Sequence, residues 1–505
     1  MCSSNNRIVI AGGGTAGWMT AAALAQHFGS LAQITLVESS SIGTVGVGEA
    51  TIPTIRDFYH QLGMNDLDVI RATGATCKLG IQFNDWHRPD SSFMHPFGLY
   101  GERVQGIDFH QFWLKMRALG QAAPLGEYCL GASLAGSGKF TLPSRNPPST
   151  LSVFDWALHF DANRFAGLMR DYAIDKGVTA VNATIHTVSQ YDDGRIRALE
   201  TECGRSIAGD LFIDCSGFRG LLIGETLGVG YCDWRQWLLC DRALAVQSQR
   251  GTSPNPYTRV DARSAGWQWQ IPLQHRDGNG HVYSSEFIAD DSAEKILRDN
   301  IDGELIGELR QLRFVPGRRE RAWEKNCIAI GLAAGFLEPL ESTSIALIET
   351  AIERIKTLMT NFDIHPSVIE EFNHTTAQEY ERVRDFLIFH YKATARDDSD
   401  FWRYCRNMPI PDTLQHKLDL FSASGHIVNY RWEIFHEPSW LALFAGFEHL
   451  PEHHDIRVDR FPTEQVRQSL EAMRTSLRKA VDSAPHHSTF IREHCATEIN
   501  AGAAT

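Results

Sequence analysis

Apolar positions change period several times along the chain. Arg7 to Ala11, RIVIA, is a short run rich in β-branched residues, and it predicts a strand. TAGWMTAAALAQHF, 15–28, is built from alanine and other good helix formers, and it predicts a helix. QITLVE, 33–38, returns to strand character and ends in an acid. From about Thr141 to Leu273 short β-rich runs alternate with turns: VTAVNATIHTVSQ, RIRALETECG, DLFIDCSG, ALAVQSQ and GWQWQIPL, with HVYSSEFI as a further strand. From about Ser342 the period becomes helical. IALIETAIERIKTLMTNF, EEFNHTTAQEYERVRDFLIFHY and EQVRQSLEAMRTSLRKAVDS are long amphipathic stretches. Residues 486–505 are expected to fray. No internal repeat or low-complexity linker breaks the pattern.

One strand stands out. In GWQWQIPL, 266–273, alternation points Trp267, Trp269 and Ile271 to one side and Gln268 and Gln270 to the other. Pro272 removes a ladder donor and ends the strand. The expected product is a rigid aromatic wall.

Composition narrows the class. With 505 residues, 43% hydrophobic and 22% charged, the chain can bury an ordinary globular core. A formal net charge of −13 argues against a nucleic-acid partner and against a polybasic membrane patch. MCSSNNRIVIAGGG carries no signal-peptide pattern, and CIAIGLAAGFL, 327–337, is too short and too glycine-broken to span a bilayer. Ten cysteines without a C-x-x-C pair read as reduced thiols of a cytoplasmic protein. His449, His453 and His454 share no helical face because Pro451 intervenes, so they are expected at the surface, with no metal site.

The first chemistry-bearing motif is G-x-G-x-x-G at Gly12, Gly14 and Gly17, set between the first predicted strand and helix. The first glycine makes a tight turn, the second lets backbone approach a pyrophosphate, and the third lets helix and strand pack closely. The helix N-terminus faces the anion. Glu38, closing the second strand, stands where a carboxylate accepts hydrogen bonds from a ribose. An ADP-containing dinucleotide follows. The long loop SSSIGTVGVGEATIPTI, 39–55, and the strand-to-glycine corner GDLFIDCSGFRG, 209–220, favour FAD over NAD. No second fingerprint serves a nicotinamide, so reduced flavin has to come from elsewhere.

Together with TCKLGIQFNDW (76–86), GWQWQIPL, GFLEPLESTSI (335–345), GVGEATIP (46–53), HPFG (95–98) and FLIFHYKATARDDSDFW (386–402), this motif closely resembles the flavin-dependent halogenases of the tryptophan-halogenase type. The resemblance implies an α/β fold: a Rossmann-like FAD-binding unit of the GR2-type flavoprotein kind with an inserted β-sheet and a helical C-terminal region. The expected division is an FAD module over 1–350 with sheet inserted at about 80–210 and 240–330, a helical region over 351–485 closing the substrate site, and a tail over 486–505.

The resemblance also implies roles. FADH2 from a separate NAD(P)H flavin reductase reacts with O2, and the flavin hydroperoxide oxidises chloride or bromide to hypohalous acid. The oxidant then reaches Lys78, which directs electrophilic substitution on an aromatic ring, with Glu341 positioning the electrophile or stabilising the cationic ring. Cofactor contacts fall to Gly12, Gly14, Thr15, Ala16, Gly17, Glu38, Gly48, Glu49, Ala50 and Leu337, and the halide to backbone N–H groups at Thr343 and Ser344. His95, Pro96, Phe97 and Trp440 line the substrate pocket. Trp267, Trp269, Ile271 and Pro272 separate it from the flavin, so that only a small oxidant passes.

Burial near apolar neighbours lowers a lysine's pKa and a nearby carboxylate raises it, so the sequence leaves both a haloamine and a hydrogen-bond-donating ammonium open. Ser344 stands where the family's free-tryptophan enzymes have glycine, but backbone dipoles bind halide without a particular side chain. The segment 433–455, EIFHEPSWLALFAGFEHLPEHHD, lacks an evident clamp for an amino acid's charges. Indole or a simple indole derivative is therefore expected, with free tryptophan or a larger aromatic product as alternatives. A ring-hydroxylating flavin monooxygenase shares the nucleotide fold, and a flavoprotein without catalysis is a further rival. Lys78 and W-x-W-x-I-P argue against the first, and intact Lys78 and Glu341 against the second. Chloride against bromide, regiochemistry and oligomeric state, dimer included, are not fixed by the sequence.

Overall fold

The chain is described by a computed structural model over residues 6–40, 48–251 and 253–497. Residues 41–47 of the glycine-rich loop, with the opening Gly-Val of GVGEATIP, lie outside the described residues, as do Cys2 and 498–505. The chain folds into two compact units, each of three segments: Met1–Ala75, Phe160–Gln236 and Arg313–Glu381 in the first, and Thr76–His159, Trp237–Leu312 and Arg382–Thr505 in the second.

The first unit is built on a six-stranded sheet. Its centre is the strand Asn6–Ala11, parallel to Ala32–Glu38 on one side and to Leu211–Asp214 on the other. Thr179–Asn182 extends one edge and Cys327–Ala329 the other, also in parallel, and Trp323–Glu324 closes the sheet antiparallel. Ile8, Val9 and Ile10 are at most 1% exposed, so the central strand is apolar on both faces and RIVIA reads as a continuous run. The corner at 209–220 does return to the first strand, in the register Ile8↔Leu211 to Ala11↔Asp214. Asp214 then holds that corner by accepting from the N–H groups of Ser216, Leu222 and Ile223 at 2.7–2.9 Å. The helix Ala162–Asp175 was not anticipated among the β runs. Asp161 caps it by accepting from the N–H groups of Asn163 and Arg164. The helix Ser344–Leu358 buries Ile345, Ile348, Ile352 and Ile355 along one stripe. Each such side chain contributes roughly 1.5–3 kcal/mol.

The second unit holds a seven-stranded sheet in the order Leu305–Arg313, Arg242–Ser248, Asp277–Tyr283, Gly266–Pro272, Thr258–Arg263, Gly80–Asn84, Ser92–Pro96. The tryptophan strand is fourth of seven, and both its faces are covered. Trp267 and Trp269 are buried, but so is Gln268, at 3% exposed. Its amide is satisfied: Arg263 Nε donates to Oε1 at 3.1 Å, and Nε2 donates to the Asn300 carbonyl at 3.3 Å. Trp269 faces Gly280 across the ladder, and a Cβ on that glycine would lie 2.0 Å from the indole ring. The glycine is the slot into which the ring packs. The expected strand HVYSSEFI is strand only as far as Tyr283, and it begins earlier, at Asp277.

Helices Asp400–Asn407, Asp412–Ser424, Glu437–Gly446 and Thr463–Ser483 complete the unit, and Pro366–Lys392 runs from the first unit's last segment into the second's. Two expectations are corrected. The supposed tail forms the helix His487–His494, anchored by Phe490 on Phe140 at 4.8 Å between ring centroids. His449 is half-buried rather than at the surface: it stacks near Phe444 and meets Ser422 Oγ at 3.1 Å. No helix among the described residues is long and apolar enough to cross a membrane.

Candidate active site

In the first unit the glycine motif forms a turn that only glycine allows. Gly12 has φ +111°, its N–H donates to Val37 O at 2.8 Å, and a Cβ would lie 2.2 Å from Cys215 O. Gly14 caps the helix Thr15–Phe28, and a Cβ there would meet nothing within 4 Å. The residues therefore fit a dinucleotide, with open space where backbone N–H groups and the helix dipole favour an anion. Thr15 and Ala16 begin that helix, half-buried, and Gly17 packs on the turn. Glu38 lies over Gly13, accepts from Trp18 Nε1 at 3.1 Å and faces Arg170 at 3.6 Å, which holds the carboxylate at the strand end.

Gly48–Ala50 is a short strand. Burial pushes the Glu49 carboxyl up to about 7. Leu337 is buried beside the turn Pro339–Glu341. Glu341 is 1% exposed, Ser342 adopts a left-handed φ of +60°, and Thr343 precedes the helix Ser344–Leu358 without a side-chain cap. Thr343 Oγ1 is buried and makes no hydrogen bond among the described residues. A helix start leaves its first N–H groups without intrahelical acceptors, so this turn offers dipoles suited to a small anion.

In the second unit Lys78 ends the strand Thr76–Lys78 with no solvent exposure, and its Nζ stands 5.3 Å from the Phe97 ring centroid. His95 lies 6.5 Å from Phe97, 5.7 Å from Phe386 and 6.0 Å from Phe435, centroid to centroid. Pro96, between them, is buried and pairs with Gly80. Phe386 and Phe435 stack face to face at 3.9 Å, and Trp440, 1% exposed, packs edge-on to Phe386 at 4.9 Å. Lysine, His95 and Phe97 are thus gathered, and Trp440 joins them through Phe386. Sequence reasoning did not single out Phe386 and Phe435. Their positions near FLIFHY and EIF carry no local signal, because only the fold joins residues 95, 386 and 435. Trp267 and Trp269 lie 5.9 Å apart, tilted by 54°.

The segment 433–455 is already occupied electrostatically. Glu433 Oε1 accepts from Lys417 Nζ at 2.6 Å, with both side chains under 5% exposed, and Lys417 stands 4.1 Å over the Trp440 ring. Burial raises the Glu433 pKa and lowers that of Lys417, while the pairing opposes both shifts. Glu448 pairs with Arg88 and Asp455 with Arg457.

A buried amine beside an aromatic slot suits electrophilic substitution on a ring, and the glycine turn suits a flavin nucleotide. Comparison with known proteins agrees. Residues 7–463 match the model of the tryptophan halogenase family. The chain is 37% identical over 438 residues to tryptophan 6-halogenase SttH of Streptomyces toxytricini, covering 82% of this chain and 83% of that one. Among solved structures it is similar to BrvH, a flavin-dependent halogenase from Brevundimonas sp. BAL3, with TM-score 0.94 and 55% identity over 97% of this chain and 99% of that one. It is also similar to Xcc4156, a flavin-dependent halogenase from Xanthomonas campestris, with TM-score 0.94 and 44% identity over 98% and 99%. The chain belongs to the tryptophan halogenase family, and it is a flavin-dependent halogenase acting on an aromatic substrate.

Proposed function

We propose that the enzyme halogenates indole or a simple indole derivative, using FADH2 from a separate NAD(P)H flavin reductase, O2, and chloride or bromide. The bound reduced flavin supplies, with O2, the oxidising equivalent that makes the halide electrophilic. Lys78 presents the electrophile, as a hydrogen-bond donor or as a haloamine, to a ring held by His95 and Phe97. Glu341 supports the cationic ring as the C–H proton leaves. The first N–H groups at Thr343 and Ser344 hold the halide, and the strand of Trp267 and Trp269 keeps the organic substrate from the cofactor.

The reading rests on one observation: Lys78, fully buried, stands 5.3 Å from the Phe97 ring beside His95. The preference for a neutral ring is supported by Glu433, the buried carboxylate of the segment 433–455, which Lys417, over the Trp440 ring, already holds. An amino acid's ammonium and carboxylate entering this surround pay several kcal/mol of desolvation that nothing offsets. A loosely held ring reacts at its most nucleophilic carbon, C3 of indole. The test is competition between indole and L-tryptophan with a generic reductase and either halide, followed by mass spectrometry. Preferential halogenation of tryptophan at one benzo-ring position sinks the proposal.

A further inference from the structure

We propose that His487 and His159 are positioning residues for Lys78: two buried neutral histidines fix the strand Thr76–Lys78 through hydrogen bonds whose proton positions are determined. The proposal rests on the reading of Lys78 as the halogen-directing amine. It adds what aims that amine.

The strand is three residues long and pairs antiparallel with Ala157–Asp161 in the register Thr76↔His159, Cys77↔Leu158, Lys78↔Ala157. So short a ladder fixes a long side chain poorly. Side-chain hydrogen bonds hold it further. Thr76 Oγ1 lies 2.6 Å from the carbonyl oxygen of Pro272 and 3.1 Å from His159 Nδ1. A carbonyl only accepts, so the threonine proton points to Pro272 and His159 Nδ1–H donates to Thr76 Oγ1. A neutral imidazole carries one N–H, so its Nε2 accepts, and the Thr258 hydroxyl at 2.9 Å is the donor. On the adjoining residue, the Cys77 N–H donates to His487 Nε2 at 3.1 Å. Nε2 is therefore bare, and Nδ1–H donates to Pro254 O at 2.9 Å.

Every donor meets an acceptor with each ring neutral and protonated on Nδ1. A second proton on His487 would set Nε2–H against the Cys77 N–H, and one on His159 would turn the Thr258 hydroxyl from donor to acceptor. Both histidines are fully buried. Burial, and for His159 also the nearby Lys78, hold their pKa values below the ordinary range. The network also ties the lysine strand to Pro272, the last residue of the tryptophan strand, so the amine and the aromatic wall share one frame. His487 is itself docked: its N–H donates to Gly138 O at 2.9 Å and its ring packs near Phe140.

The experiment compares His487→Ala, His487→Gln, Thr258→Val and Lys78→Ala as full-length FAD-loaded proteins. It measures kcat and KM for indole and halogenated product per reduced flavin consumed. A remote displacement of about 1 Å can cost on the order of a hundredfold in rate. His487→Ala is expected to lower kcat and product per flavin by about tenfold or more, with KM and FAD binding unchanged. His487→Gln, which restores an acceptor for Cys77 N–H, is expected to recover most of that loss. Recovery of this kind separates positioning from general loosening of the fold. Folded His487→Ala with kcat within about twofold of the parent, beside an inactive Lys78→Ala, overturns the proposal and leaves the reading of Lys78 intact. Turnover retained in Lys78→Ala overturns that reading, and the proposal with it. If His487→Ala does not fold, Thr258→Val decides: it keeps the shape of Thr258 but removes the donor to His159, and a kcat equal to the parent's overturns the proposal.

Discussion

The two units differ in the ionisable groups that burial displaces: both hold raised carboxyls, and among the described residues only the second adds depressed imidazoles. In the first, the displaced groups are carboxyls: burial pushes Glu49 up to about 7 and Glu349, in the helix Ser344–Leu358, up to about 8. In the second, burial raises Asp277, Asp385 and Glu433 as well, and imidazoles join them: burial pulls His281 and His487 down to about 4, and His159 well below its ordinary value. One cause, loss of water, disfavours the charged form in both: at pH 7 the imidazoles are neutral, Glu349 is mostly neutral and Glu49 is about half ionised. Neutral imidazoles suit a unit whose strands use them as fixed acceptors and whose lysine gains nothing from more positive charge. The lesson is that the second unit adds, to the buried acids both units share, neutral imidazoles that hold its strands.

The largest test of this contrast is the pH dependence of stability. A histidine with a depressed folded pKa contributes fully above its unfolded value near 6.5, and that contribution is lost as pH falls towards 4. It is worth roughly 3 kcal/mol for each of His281 and His487. A glutamate with a raised folded pKa contributes fully below about 4.5, and that contribution is lost as pH rises through 7 to 8. Stability should peak between about pH 5 and 7. Hydrogen exchange should show acid opening the strand Asp277–Tyr283 first and alkali opening the helix Ser344–Leu358 first. The reverse order breaks the comparison.

Glu349→Gln sharpens it. The variant is expected to gain roughly 2 kcal/mol at pH 8 and almost nothing at pH 4 in urea unfolding. His281→Phe is the counterpart in the second unit. His281 meets the Ala293 carbonyl at 3.0 Å through Nδ1, and its Nε2 is buried without a hydrogen-bond partner among the described residues. Phenylalanine loses one hydrogen bond, so the variant should be slightly weaker at pH 7 and stronger by roughly 1–2 kcal/mol near pH 4.5. The smallest effect is Thr343→Val. Removing a buried hydroxyl that makes no hydrogen bond should stabilise the fold by about 1 kcal/mol. If backbone N–H groups alone hold the halide, KM for halide should stay within about twofold.

The legibility of each region follows from how local its determinants are. The strand–turn–helix–strand of residues 7–38 was readable because Gly12, Gly14 and Gly17 act within a few residues of one another. The corner at 209–220 was readable because its apolar run ends in glycine. The tryptophan strand was found, but its two-sided pattern misled: Gln268 is as buried as its neighbours, because the strand lies mid-sheet and Arg263 and Asn300 satisfy the amide. The helix Ala162–Asp175 hid among β runs, its glycine and polar residues weakening the period. In the site, Lys78, His95 and Phe97 stand close in sequence and were named. Phe386, Phe435, His159 and His487 reach the same region only through tertiary packing, which no window of neighbouring residues contains.

The hydrogen bond from Cys77 to His487 spans 410 residues of chain. At roughly 5–20 residues per second of synthesis, the strand bearing the lysine waits on the order of tens of seconds before its last partner is made. Contacts of such separation slow folding, because the intervening loop must close before any of them is rewarded. The second unit, in three separated segments, is the later of the two to gain its full set of contacts. During that wait its apolar strands are without their final cover.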